Sequence, residues 1–352
     1  MAANQDLFDE GVKHQIDVQR FTTMQLARLL RELSRADGRL LEWLTRRIPV
    51  NASRNRRENT KRLRRLFSDF RERRNATMKA LRDNFRSDLS TFGEEESDFE
   101  EALLLAILGG SIARPTKATL NEIITGIPFN SSTDTSATFA QWFEALRGSD
   151  RRRVEQAIFK GVSEGQTRDS IVRMIGGARG VLSTTRRGLE TLVRSAIAHV
   201  SNLSREAVWQ VNGQKVVLVW QSILDDQTCP ICRARDGRNA PIGGSGIAPQ
   251  PRLIPPGARP PAHPRCRCVM IGKLLGQPGA ATDVTYQQWL GAQPVSVQDD
   301  ILGPTRGKLF RDGEITLDRF VDRQGQELTL EDLAKRRPTA FRDAGLDPDD
   351  FT

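Results

Sequence analysis

The sequence predicts a mainly α-helical protein that carries one small α+β module and ends in a short helical tail. Three observations point there. Apolar residues recur at three-to-four spacing from Leu26 to Leu89 and again from Phe139 to Val208. A β-branched run, KVVLVWQSI, appears only after them, and all four cysteines lie in one window beyond that run.

The elements follow in order. Leu26, Leu29, Leu30, Leu33, Leu40, Leu41 and Leu44 form one helical stripe, which Pro49 should end with PVNAS as the turn. Leu63, Leu66, Phe67, Phe70, Met78, Leu81, Phe85 and Leu89 form a second. Two such helices predict a hairpin, and stripes this long need a partner helix to cover them. The hairpin is also strongly basic. From Arg46 to Arg86 there are 15 Lys or Arg and four acids, about +11 against +9 for the whole chain. With so few acids to pair, an anionic partner is expected: a DNA backbone or an acidic protein surface. The side chains expected to meet it are Arg54, Arg56, Arg57, Lys61, Arg62, Arg64, Arg65, Arg71, Arg73 and Arg74. No interleaved aromatics suggest base reading, so contact with double-stranded DNA should ignore sequence.

The sign then reverses. GEEESDFEE, from Gly93, is placed to start a helix through the apolar Leu103–Leu108 segment. NSSTDTSAT, from Asn130, reads as an exposed loop and a unit boundary. Phe139, Phe143 and Leu146 resume helical spacing; Gly165 should end one helix and Thr167 cap the next. A longer helix carries Leu192, Ala196, His199, Leu203 and Val208 along one side. His199 has no metal-binding companion at helical spacing and should be a packed histidine. His14 sits in a polar stretch and suggests nothing.

KVVLVWQSI and CRCVMIGKL read as strands that pair around the cysteine segment. Between them, Arg233 to Ala262 carries seven prolines and five glycines and cannot be regular throughout. Such a loop needs fastening. Cys229 and Cys232 form a CxxC knuckle, His263 and Cys266 repeat the spacing, and Cys268 follows on the same side of a strand. That is five candidates for about four tetrahedral positions. Spacing favours Cys229, Cys232, His263 and Cys266, with Cys268 able to replace Cys266 or His263. Soft thiolates with an imidazole suit Zn(II), and a site closed by four protein ligands is structural. Disulfides or free thiols are the bland alternative.

Catalysis finds little support. A zinc deaminase needs an upstream HxE, which none of the three histidines supplies. Of carboxylates for a nuclease, only Asp225, Asp226 and Asp236 are near. No catalytic residue is assigned, and the protein is not expected to be an enzyme.

The 352 residues leave room for two or three units, and 38% hydrophobic with 28% charged residues fits a soluble chain. No apolar run approaches the roughly 20 residues that cross a bilayer, so no membrane is required. The N-terminus lacks a secretory signal pattern, which places the thiols in a reducing cytoplasm, where clustering suggests metal.

SILDDQTCPICRARDG followed by PPAHPRCRC resembles the signature of phage Mu protein F-like head morphogenesis proteins, minor head proteins of tailed phages. The resemblance extends upstream through GVSEGQTRDSIVRMI and VRSAIAHVSNLSR, with Arg194, Asn202 and Arg205 where that family tends to have Arg, Asn and Arg. Ser195 stands where Thr is commoner. The likeness spans roughly residues 140–275, and the last seventy residues are similar to a tail found on many such proteins. It divides the chain into a basic helical arm or bundle (1–130), a head morphogenesis domain (140–275) with its zinc module at about 215–275, and a C-terminal extension (280–352). In that extension Trp289, Leu302 and Phe310 should be anchors, with Phe320 and Leu330 docking it onto the zinc module.

The resemblance implies a structural role. Such proteins are made late in the bacterial cytoplasm, join the portal or the procapsid interior in several copies per head, reside in the virion, and can help package or eject DNA. The alternatives are an enzyme or effector carried in the head, or a zinc-containing DNA-binding protein.

Overall fold

The computed structural model describes residues 3–49, 56–130, 135–213, 216–242, 258–277, 284–322 and 326–351. Most of them are helical. Helix α1 (Ala3–Arg47) is 45 residues long and begins well before the leucine stripe. At 1.5 Å per residue it spans about 68 Å. Helix α2 (Arg56–Leu108) runs unbroken for 53 residues. The turn expected at PVNAS falls largely outside the described residues.

The acidic run does not start a helix; it lies within the last third of α2. Its carboxylates face donors from other helices. Glu96 lies 2.7 Å from His14 Nε2 and accepts from Ser201 Oγ at 2.6 Å. Glu100 accepts from Arg205 Nε at 2.6 Å and Trp209 Nε1 at 2.7 Å. Both acids are buried. A buried carboxylate is tolerated where such partners satisfy it, so these acids mark a helix interface.

Helix α3 (Lys117–Thr125) and the two-residue strands β1 (Phe129–Asn130) and β2 (Ser136–Ala137) lead into α4 (Phe139–Ser163), opened by a capping box of Thr138 and Gln141. Residues 131–134, the middle of the expected loop, lie outside the described residues. Helix α5 (Arg168–Gly176) starts as expected: Thr167 accepts from Ser170 N, and Gly165 takes φ of 69° after α4. Helix α6 (Val181–Val211) is the central helix.

The hairpin stripes are covered by this same chain. Leu26, Leu29 and Leu33 share a core with Phe85 and Leu89 of α2, Phe143 of α4, and Leu192 and Ile197 of α6. Leu40, Leu44, Leu66 and Phe70 share another with Ile158 of α4 and Ile171 of α5. The partner helix predicted for the hairpin is therefore supplied by α4, α5 and α6.

Beyond α6 lies a three-stranded antiparallel sheet of order β4-β3-β5, made by β3 (Val216–Gln221), β4 (Asn239–Pro241) and β5 (Val269–Leu274), with helix α7 (Pro230–Arg235) between β3 and β4. Pairing of β3 with β5 puts Val219 opposite Ile271. Strand β4 arises inside the Pro/Gly-rich stretch, where alternation is too short to read. The outer edge of β5 is closed by two side-chain amides. Asn202 of α6 accepts from Met270 N at 2.7 Å; Asn4 of α1 accepts from Leu274 N at 2.7 Å and donates to Leu274 O at 3.1 Å. An edge closed in this way offers no template to another strand. Gly272 is required by close approach: a Cβ there would lie 2.3 Å from the Trp209 ring.

The C-terminal unit is helical, as expected. Helices α8 (Tyr286–Gly291), α9 (Val295–Leu302), α10 (Pro304–Arg311), α11 (Leu330–Arg336) and α12 (Pro338–Asp343) surround a core that includes Tyr286, Leu290, Leu309, Leu333 and Phe341. Leu302 is buried in it, while Trp289 and Phe310 pack at its margin. Phe320 and Leu330 belong to this unit's own core. Docking falls instead to Tyr286, Val321 and the carbonyl of Ile301, because these face the segment that carries the first two cysteines.

Candidate functional site

The five predicted ligands converge. Cys229 is the N-cap of α7 and Cys232 lies in its first turn, so the knuckle is held by a helix start with Pro230 at its first position. His263, Cys266 and Cys268 arrive on the segment leading into β5. Two groups of ligand atoms lie within 4.8 Å of one another: Cys229, Cys232 and His263, and Cys232, Cys266 and Cys268. Cys232 belongs to both. Its sulfur is 3.2 Å from His263 Nε2 and 3.8 Å from Cys266 Sγ. All four cysteines are free thiols.

The surroundings orient these atoms. Nδ1 of His263 donates to Pro264 O at 2.8 Å, which leaves Nε2 to face the sulfurs. The Cys268 thiol also contacts Ser222 Oγ at 3.6 Å, and Ser222 Oγ donates to Cys232 O at 2.9 Å. Hydrogen bonding to Cys232, with His263 beside it, holds the Cys229 thiol down at about 5. Hydrogen bonds from Cys232 and Cys268 hold Cys266 well below the usual thiol range. Burial opposes a charged His263, yet the sulfurs of Cys229 and Cys266 lift it to about 10. The neighbouring thiols instead raise Cys232, and burial raises Cys268. Sulfurs with one imidazole are the donor set a soft metal ion takes, so the cluster can hold one. Arg235, buried over the Trp220 ring at 5.0 Å, places a cation beside the sulfurs.

Two of the three nearby carboxylates are engaged. Asp225 accepts two hydrogen bonds from Arg267, at 2.7 and 2.8 Å. Asp236 accepts from the backbone N–H groups of Ser222, at 2.6 Å, and Tyr286, at 2.7 Å. The family-like polar residues also have structural partners: Asn202 closes β5, Arg205 pairs with Glu100, and Arg194 pairs with Glu190 at 3.2 Å. Ser195 Oγ accepts from Arg265 N at 3.4 Å. His199 is packed, as expected: its Nε2 lies 3.0 Å from Ile123 O, and burial pushes its pKa down to about 4.

The basic residues divide. Arg74, expected to meet an anionic partner, is 2% exposed and cannot reach one. Its guanidinium donates to Asp150 of α4 and Asp37 of α1, which makes it a core ion. Arg71 is paired with Glu155, at 2.7 and 2.8 Å, and Arg62 with Glu58. Arg73 lies over the Trp43 ring at 5.1 Å. Arg54 and the side chains of Arg56 and Arg57 lie outside the described residues. Lys61, Arg64 and Arg65 are exposed, and among the described residues no acid pairs with them.

Exposed cations from other helices join these, a feature that counting along one stretch of sequence missed. Segments 39–49, 61–74 and 151–187 surround one core and contain 19 Lys or Arg and six Asp or Glu. The remainder of the chain is slightly acidic. Arg152, Arg153, Arg173 and Arg179 are exposed there. This basic pole adjoins the C-terminal end of α1, where Arg168 donates to Ile48 O at 2.9 and 3.0 Å. The cysteine module adjoins the N-terminal part of α1, through Asn4 and Gln15. No helix among the described residues is long and apolar enough to cross a membrane.

Comparison with known proteins agrees with the cysteine motif. Neither a curated protein nor a solved structure matched the chain. One protein-family model did, over less than half of its length. Residues 152–271, which supply the second half of α4, all of α5 and α6, the cysteine cluster and the start of β5, match the family described as Phage Mu protein F like protein.

Proposed function

We propose that this protein is a structural minor head protein of a tailed bacteriophage, acting in head assembly at or near the portal. The family match itself points to a phage head morphogenesis protein and thus to the virion. The observation that carries the finer reading is the cysteine cluster, which lies within the matched segment and has the character of a scaffold. All five of its candidate ligands are protein side chains, so a bound ion would be enclosed.

The ion proposed is Zn(II), held by four of Cys229, Cys232, His263, Cys266 and Cys268. When bound it supplies cross-linking, since it joins α7 to the start of β5. Three thiolates and a neutral imidazole would leave one net negative charge on the site, which the Arg235 guanidinium offsets. The basic pole is proposed to contact double-stranded DNA through phosphates without sequence preference. Its exposed arginines come from several helices, which suits a backbone better than a groove. The engagement of Asp225 and Asp236 supports a non-catalytic role.

Co-expression with the portal from the same genome, followed by size exclusion, tests the assembly reading. Co-migration and a fixed ratio to portal in purified heads, read by mass spectrometry, are expected. Failure to co-migrate, together with absence from mature and immature particles, would defeat it.

A further inference from the structure

The geometry points to the cysteine cluster as the lock that keeps the C-terminal unit docked: metal on the cluster seats helices α8 to α12, and its removal releases them while the helical body stays folded. This rests on the metal reading above and extends it to a second part of the molecule.

The seat is one short segment, residues 224–238. Tyr286 Oη donates to Asp225 O at 2.6 Å, and Tyr286 N donates to Asp236 at 2.7 Å. Arg233 donates to Ile301 O at 3.1 Å and lies 5.6 Å from the Tyr286 ring. Ala234 packs on Val321, Leu224 on the core of the C-terminal unit, and Arg238 lies 3.6 Å from Asp318. All of these contacts come from α7 or its flanks. Helix α7 has six residues, too few to hold its shape alone. Two of the candidate ligands, Cys229 and Cys232, are its N-cap and a residue of its first turn. Metal at the cluster therefore fixes the only helix in the seat at its N-terminal end.

The two neighbours of that segment are anchored differently. The β3–β5 pair is held to the helical body by Asn4, Asn202 and the Trp209–Gly272 contact, none of which involves a cysteine. The C-terminal unit has its own core around Leu309, Leu333 and Phe341 and can remain compact when it leaves, while α8, held to the seat through Tyr286, loses that support. Cys232, Cys266 and Cys268 also lie in the apolar core shared by the sheet and the helical body, but the three attachments above need no metal, so its loss acts first on the seat.

Hydrogen exchange by mass spectrometry on the full chain, loaded with Zn(II) and then treated with chelator, tests this. Exchange in 224–238 and 286–291 should accelerate at least tenfold on metal removal, with α1, α2 and α6 unchanged. Arg233→Ala with Tyr286→Phe should give the same acceleration at 286–291 while one equivalent of zinc stays bound. Unchanged exchange at 286–291 after chelation overturns the lock. Equal acceleration throughout α1, α2 and α6 also overturns it, because the metal would then hold the whole body. A chain that takes up no Zn(II) fails earlier, at the metal reading, and takes the lock with it.

Discussion

Arg74 and Asp150 meet in a two-point contact inside the helical body, with Nε 2.6 Å and Nη2 3.0 Å from the two carboxylate oxygens. Asp37 accepts a third hydrogen bond at 2.7 Å, and Thr185 donates to Asp150 at 2.6 Å. One guanidinium joins α1, α2 and α4, and Thr185 ties α6 to the same Asp150. Arg74→Ala would leave two buried carboxylates without their main partner, a change that costs about 3–5 kcal/mol in comparable buried pairs. Urea denaturation should show that loss, and Arg64→Ala, an exposed neighbour, should leave the midpoint almost unmoved.

Metal content should be about one equivalent of zinc per chain purified without added metal. Cys232 is common to both ligand groups, so Cys232→Ser should lose the ion most completely. Cys229→Ser should be worse than Cys268→Ser if spacing has chosen the set. The opposite order, measured by metal analysis, would move Cys268 into the site.

DNA affinity should fall steeply with salt, by about 0.9 in log K per phosphate contact for each tenfold rise. Replacing Arg64, Arg65, Arg152 and Arg153 together by Gln should weaken binding on any duplex and flatten that slope. Fluorescence anisotropy at several salt concentrations reads both. Binding that is flat with salt would leave the pole as a protein-docking surface.

Acid should destabilise the protein through His199. Its folded pKa, about 4, lies below the ordinary 6.5, so the unfolded chain binds the proton first. Stability contributed by the neutral ring is present above pH 6.5 and is lost as pH falls toward 4, by about 3 kcal/mol over that window. Denaturant midpoints at pH 7 and pH 4.5 should differ less in His199→Gln than in the unaltered chain. Equal differences would place the pH sensitivity elsewhere.

The parts legible in the sequence were those built from local pattern. The leucine stripes, the Thr167 cap and the apolar β3 each declare themselves within a few residues. The cysteines were legible because metal chemistry restricts both type and spacing. Pairings between distant residues were not. Arg74 looks like any arginine of a basic run, since its partners lie 37 and 76 positions away. His14 gave no signal, yet it stacks on Phe99 at 3.6 Å and reaches Glu96. The acids of α2 resemble a helix start because acids usually gather there; here Arg205 and Ser201, presented by α6, decide their role.

The closure of β5 by Asn4 fixes an order of events during synthesis. Asn4 and Leu274 stand 270 positions apart, and the first helix cannot complete its contacts until the last strand has left the ribosome. At 5–20 residues per second that is a wait of tens of seconds. Leu7, which shares a core with Trp209, Met270 and Leu274, stays incompletely covered for the interval. A helix made well before β5 is thus among the last elements to be seated, and a nascent chain halted before β5 would present an unfinished apolar face for others to bind.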